Sequence, residues 1–203
     1  TSRYARWLEK ENRRETWPET VARYMTNVVS PIVADLNVLD KIELNILDLN
    51  VMPSMRAMMT AGPALNRDHT AGYNCSYLPV DDPKAFDEAM YILLCGTGVG
   101  FSVERQYIQN LPEVPELSDS ETTVVVKDSK EGWAKGLRQV LALLWAGEIP
   151  KWDVSQIRPS GARLKTFGGR ASGPAPLIDL FNFAVNTFKA ASNRRLSSLE
   201  CHD

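Results

Sequence analysis

Apolar residues recur along the chain at two spacings, and the spacing changes from segment to segment. Between Glu19 and Val29, the residues Val21, Tyr24, Met25 and Val28 fall near one face at helical intervals. Pro18 stands where a helix starts easily, and Pro31 interrupts the pattern. Leu36 to Met52 is apolar but alternates with Asp and Asn, so its period is ambiguous. Pro53 to Pro79 is rich in turn residues. Phe86, Met90, Leu93 and Leu94 then predict a helix over Pro83 to Leu94, with Asp82 as N-cap and proline at the first helical position. Gly96-Thr97-Gly98 ends it, and Val99 to Glu104 reads as a strand. Thr122 to Val126 is a β-branched strand. Asp128 is expected to cap the next helix, with Glu131 three residues on as a capping box. Trp133, Leu137, Val140, Leu141 and Leu144 form its apolar stripe, and Gly147 ends it. Leu177, Phe181, Ala184, Phe188 and Ala191 mark a last helix. Helices alternate with strands, which predicts an α/β architecture.

Composition narrows the function classes. The 203 residues are 44% hydrophobic and 24% charged, with a formal net charge of −2. That balance gives no electrostatic reason to expect a nucleic acid or an anionic membrane as partner. No apolar stretch approaches the roughly 20 residues of a membrane span. The first ten residues lack the apolar core of a signal peptide, so a cytoplasmic protein is expected. The three cysteines, Cys75, Cys95 and Cys201, have no Cys-x-x-Cys spacing and form no disulfide scaffold pattern. With only His69 and His202 beside them, no metal site is expected.

Four segments carry candidate chemistry. Cys75 lies in the polar turn Asn74-Cys75-Ser76, where a thiol is either exposed and ionisable or a small buried apolar group. Cys95 ends an apolar helical stripe and reads as core. Gly96-x-Gly98-x-Gly100 is no dinucleotide fingerprint: Phe101 stands where the third glycine belongs, and the loop follows a helix and opens a strand. It is a tight turn, or a place where backbone approaches a ligand. Lys127-Asp128-Ser129-Lys130 at a helix start suits an anion or is a plain capped helix. Arg158 to Pro174 interleaves Arg158, Arg163, Lys165 and Arg170 with glycines, which suits a polyphosphate or a solvated loop.

Read together, these segments resemble the monomeric, adenosylcobalamin-dependent ribonucleoside-triphosphate reductases. The most specific parts are Pro53-Ser54-Met55-Arg56-Ala57-Met58-Met59-Thr60-Ala61-Gly62, the Asn-Cys turn, Gly96 to Glu104, and Lys165 to Pro174. The resemblance implies amino-terminal helices (1–52), then the first part of a ten-stranded α/β barrel (53–203), truncated, with an effector-binding insertion at about 104–175. It implies a thiyl-radical mechanism in which Cys75 is one member of a redox-active cysteine pair. The radical cysteine, the partner cysteine and most of the cobalamin-binding region would lie beyond this chain, so the piece alone is expected to be inactive. Ser54, Asn74, Ser76, Gly98 and Gly100 would lie against the ribonucleoside triphosphate substrate. Asp128, Ser129, Lys130, Arg163, Lys165, Gly168, Gly169 and Arg170 would bind a deoxyribonucleoside triphosphate effector. The Gly168–Gly173 loop would couple the two sites. A thioredoxin-like dithiol would be the reductant, and the complete enzyme would be monomeric. The competing readings are a reductase that takes its radical from a diiron partner subunit and a nucleotide-binding regulatory module without catalysis.

Overall fold

The computed structural model describes residues 4–164 and 169–203. The chain divides into two compact units, one holding the residues up to Asn74 and the other running from Cys75 to Arg163 and from Gly169 to Asp203.

The first unit is mostly short helices. A two-residue hairpin pair, β1 (Trp7–Leu8) and β2 (Arg13–Arg14), precedes α1 (Trp17–Tyr24). Thr16 caps α1 in a capping box with Glu19, and Pro18 sits in the first turn. The predicted helix runs on to Val29, but its last turn, Met25–Val29, is a π-turn. The ambiguous stretch resolves as α2 (Leu36–Leu47), capped by the Asp35 carboxylate. The turn-rich region contains α3 (Met55–Thr60), α4 (Pro63–Arg67) and a 3-10 turn at His69–Gly72. Val21, Met25, Val29, Ile46 and Met58 form the core. Beside that core, buried Glu15 pairs with Arg23 at 2.8 Å. The same guanidinium donates to the carbonyls of Met58, Ala61 and Tyr4 at 2.8–2.9 Å. One cation thereby satisfies carbonyls at the end of α3 that have no partner within the helix.

The second unit is α/β. Strand β3 (Cys75–Pro79), helix α5 (Lys84–Leu94) and strand β4 (Gly98–Ser102) form one parallel unit. After the short α6 (Arg105–Ile108), β5 (Ser118–Val125), α7 (Lys130–Trp145) and β6 (Glu148–Asp153) form a second. Helices α8 (Ala175–Ala190) and α9 (Ser198–His202) complete it. Parallel strands need a crossover, and a helix fills that role in both units. The α7 stripe is buried as its spacing predicts at Leu137, Val140, Leu141 and Leu144, and so is the α8 stripe at Leu177, Phe181, Ala184 and Phe188. Cys95 is fully buried, as its position in an apolar stripe predicts.

Three expectations shift in detail. The N-cap of α7 is Ser129, whose hydroxyl accepts from Gly132 N at 3.0 Å, and not Asp128. The Asp128 carboxylate is instead held by Arg158 at 2.7 Å. Helix α5 begins at Lys84, with Asp82 accepting from the Lys84 N–H at 2.8 Å. Strand β6 has no counterpart in the sequence reading.

Candidate active site and effector site

Strand alternation defines a face around Cys75. The parallel register pairs Cys75 with Gly98, Tyr77 with Gly100 and Pro79 with Ser102. Successive side chains point to opposite faces, so Cys75 and Tyr77 share a face with Gly98, Gly100 and Ser102. Leu78 and Val80 lie on the other face, against the core. On the Cys75 face, the two nearest partners on β4 carry no side chain. The exposed thiol therefore stands beside bare backbone. Tyr77 donates to Ser102 Oγ at 2.9 Å, and hydrogen bonding to Tyr77 pushes the Tyr107 phenol above its ordinary value. Ser76 donates to the Gly98 carbonyl at 3.1 Å, tying the start of β3 to β4. Gly98 and Gly100 thus lie on the Cys75 face, while Ser76, the next residue in β3, turns its side chain to the opposite face. Asn74 adjoins it in the chain, while Ser54 belongs to the first unit, where its hydroxyl caps α3 by accepting from Ala57 N at 3.4 Å. Tyr77 was not legible as a site residue; the signal was its two-residue spacing from Cys75 in a strand.

The other two cysteines differ in kind. Cys201 is buried in α9, and burial, then the neighbouring Glu200, push its thiol up to about 11. A thiol held there is almost wholly protonated at neutral pH.

A second cluster forms at the start of α7. Ser129 caps the helix, Asp128 precedes it, and Arg158 reaches across to Asp128, so the helix start and the basic glycine-rich loop are joined by an ion pair. That loop is closed on itself. Arg163 and Arg170 form an antiparallel bridge, Gly161 N donates to Ala171 O at 2.9 Å, and Ala171 N donates to Ala162 O at 2.7 Å. Arg170 also donates to the Gly161 carbonyl at 2.9 Å. Gly169 and Gly173 have positive φ, and a Cβ at Gly173 would lie 2.8 Å from Ser160 N. Lys165 and Gly168 lie outside the described residues. Lys130 does not extend into open solvent: its ammonium donates to Cys95 Sγ at 3.0 Å and lies 4.7 Å from the centre of the Tyr91 ring.

One pair that sequence reasoning missed fixes α5 on α7. Asp87, only 3% exposed, accepts from Arg138 at 2.9 and 2.7 Å. The hydrogen bond to Asp87 raises the Arg138 pKa further. Its signal was a carboxylate next to Phe86 on the apolar side of α5, with Glu88 beside it on the exposed side. Among the described residues no group of three or more His, Cys, Asp or Glu side chains is placed to hold a metal ion, and no helix is long and apolar enough to cross a membrane.

The chain is similar to known proteins along nearly its whole length. The profile of the B12-dependent ribonucleotide reductase insertion domain matches residues 102–188. The adenosylcobalamin-dependent ribonucleoside-triphosphate reductase of Lactobacillus helveticus is 24% identical over 98% of this chain. Those of Levilactobacillus brevis and Lacticaseibacillus paracasei are 25% and 26% identical over the same share. The crystal structure of a B12-dependent (class II) ribonucleotide reductase superposes with a TM-score of 0.82, at 22% identity, covering all of this chain and 38% of that one. The chain spans 36–37% of the length of these three relatives. These matches support the B12-dependent reductase reading, and neither the diiron-partner reductase nor the nucleotide-binding regulatory module without catalysis is supported. The chain is thus similar to the B12-dependent ribonucleotide reductases along nearly its whole length, and it carries the match to their insertion domain over residues 102–188.

Proposed function

We propose that this chain is the amino-terminal part of an enzyme that reduces ribonucleoside triphosphates to 2′-deoxyribonucleoside triphosphates, and that Cys75 is one of its two reducing thiols. The observation that carries this reading is the exposed Cys75 thiol on a strand face floored by Gly98 and Gly100. Reduction at C2′ needs two thiols within reach of the sugar. The C2′–OH bond breaks and the hydroxyl leaves as water; a C2′–H bond forms, and the two thiols end as a disulfide. Glycine at both neighbouring positions leaves room for a ribose against backbone. Gly98 and Gly100 floor that space, and Ser76 follows Cys75 in the strand. A thioredoxin-like dithiol then restores the thiols by exchange, for which exposure of Cys75 is the structural requirement.

Adenosylcobalamin, named for the relatives, supplies the radical-generating chemistry in this reading. Among the described residues no group of three or more metal-ligating side chains is placed together. His69 and His202 lie in separate units, and His202 Nδ1 is engaged with Asp203 at 3.0 Å. In this reading the cofactor site and the radical cysteine belong to sequence beyond these residues, and the chain alone is expected to show no turnover.

The start of α7, Arg158 to Arg163 and Gly169 to Gly173 form the proposed site of a deoxyribonucleoside triphosphate effector. Ser129, Asp128, Arg163, Gly169 and Arg170 border it, and the insertion-domain match over 102–188 supports this placement. The parallel β3–α5–β4 unit is the kind of repeat from which an α/β barrel is built, and it supports a ten-stranded barrel in the complete, monomeric enzyme.

The test is Cys75→Ser in the full-length enzyme, assayed with adenosylcobalamin and a dithiol. Multiple turnover is expected to collapse to at most about one product per protein, because single-turnover and steady-state kinetics separate chemistry from recycling. Undiminished steady-state turnover would remove Cys75 from the redox pair.

A further inference from the structure

The contact between Lys130 and Cys95 is not used by the reaction described above. Cys95 is the C-cap of α5, and its backbone N–H donates to the Tyr91 and Ile92 carbonyls at 3.0 and 3.1 Å. Its sulfur is fully buried. Lys130 is the first residue of α7, whose start is fixed by the Ser129 cap. The two side chains meet with Nζ 3.0 Å from Sγ, and the Tyr91 ring holds the ammonium over its face. A cysteine beside a cation is the environment that favours the nucleophilic sulfur anion. An amine at hydrogen-bond distance is also positioned to attack that sulfur once it is oxidised, because both backbones are already held in place.

We propose that Lys130 and Cys95 form a reversible sulfenamide cross-link under mild oxidation by hydrogen peroxide. In the first step the sulfur anion attacks peroxide. An S–O bond forms and the O–O bond breaks. The departing hydroxide takes a proton from the Lys130 ammonium, leaving a sulfenic acid, a neutral amine and one water. In the second step the amine lone pair attacks sulfur. An N–S bond forms, the S–O bond breaks, and the hydroxide leaves with the amine proton as a second water. Sulfur is oxidised by two electrons and peroxide is reduced to two waters. Condensation of a sulfenic acid with a nitrogen is an established branch of thiol oxidation. A dithiol reverses the link by attacking sulfur, releasing amine and thiol and ending as a disulfide.

The position gives the link a consequence. Cys95 opens the turn that leads through Gly96 and Thr97 to Gly98, the register partner of Cys75. Lys130 opens the helix that borders the proposed effector site. The bond would pin one element to the other, so oxidation would hold the link between the two sites in a single arrangement.

The experiment is peptide mapping by mass spectrometry of the full-length protein after stoichiometric peroxide, with thiols blocked before digestion. It does not depend on reductase activity, so its failure and the failure of the functional reading are distinguishable. The expected product joins the peptide holding Cys95 to the peptide holding Lys130, with the mass of the two less two hydrogens, and dithiothreitol abolishes it. Lys130→Arg and Cys95→Ser, each checked for folding by circular dichroism, should lack it. Recovery of Cys95 as a blocked free thiol, as a disulfide with another cysteine or as a sulfinic acid, with Lys130 unmodified, would overturn the proposal. The wild-type map decides even where a variant fails to fold.

Discussion

Glu15 and Arg23 show how much a single pair carries in the first unit. Burial pushes the Glu15 carboxyl up, but hydrogen bonds from Arg23, the Arg6 N–H and Thr20 outweigh it and hold the group below its ordinary value. A lowered carboxyl contributes stability that is complete above the unfolded value of about 4.3 and is lost as pH falls through the lower folded value. Arg23→Ala should cost about 3–5 kcal/mol at pH 7, because it leaves a buried charge unpaired and removes donors from three carbonyls. Burial would then be opposed only by the Arg6 N–H and Thr20, so the Glu15 pKa should rise and the deficit should shrink as pH is lowered toward 4. Urea unfolding followed by tryptophan fluorescence at both pH values checks this; a deficit independent of pH would show that Glu15 is not the source. This pair was not legible in the sequence, because eight residues and a helix start separate its members. Cys75 was legible as a candidate, but a polar Asn-Cys-Ser turn leaves a thiol either exposed or buried, and the structure exposes it. What the sequence alone could not supply was the parallel register that sets Gly98 and Gly100 beside it.

Among the elements, α7 separates local propensity from packing. Gly132 lies in its first turn, and an exposed helical glycine is ordinarily improved by alanine by about 1 kcal/mol. Here a Cβ would lie 2.3 Å from the Lys127 carbonyl oxygen, a clash with backbone. Gly132→Ala should therefore destabilise by about 1–3 kcal/mol, which thermal unfolding would detect; a gain in stability would show that the Lys127 turn yields freely. The apolar stripes of α5, α7 and α8 were readable because each sits at helical spacing over three or more turns. Strand β6 was not. Pro150 interrupts it, and proline argues against a strand interior. The register with β5 shifts between Asp119 and Thr123, where the paired residues on β6 are Ile149 and Lys151, on either side of that proline. The cap of α7 was misread by one residue because Asp128 and Ser129 are both good caps, and Arg158, thirty residues away, takes the carboxylate.

At the level of the whole molecule, the second unit leaves an apolar surface uncovered. Leu93, Leu94, Phe101 and Phe183 are 38–57% exposed, and they line an open groove of about 490 Å³ together with Leu180 and Met90. Parallel sheets occur almost only with both faces covered, and a two-stranded parallel pair is far smaller than such sheets are. In the proposed barrel, further strands and helices cover this face. The 203-residue chain should therefore bind a hydrophobic dye such as ANS in proportion to its folded fraction, and the full-length protein should not. Equal dye binding by both would mean that the groove stays open in the enzyme. The α/β class was legible from alternating elements, whereas the division at Asn74–Cys75 falls within the turn-rich stretch Pro53 to Pro79, whose composition singles out no one boundary.

The most direct test of the central claim is ribonucleoside triphosphate reduction by the full-length protein, with a dithiol, in the presence and absence of adenosylcobalamin. The account predicts deoxyribonucleotide formation only with the cofactor. Cofactor-independent reduction, or none from a folded protein supplied with it, would contradict the account.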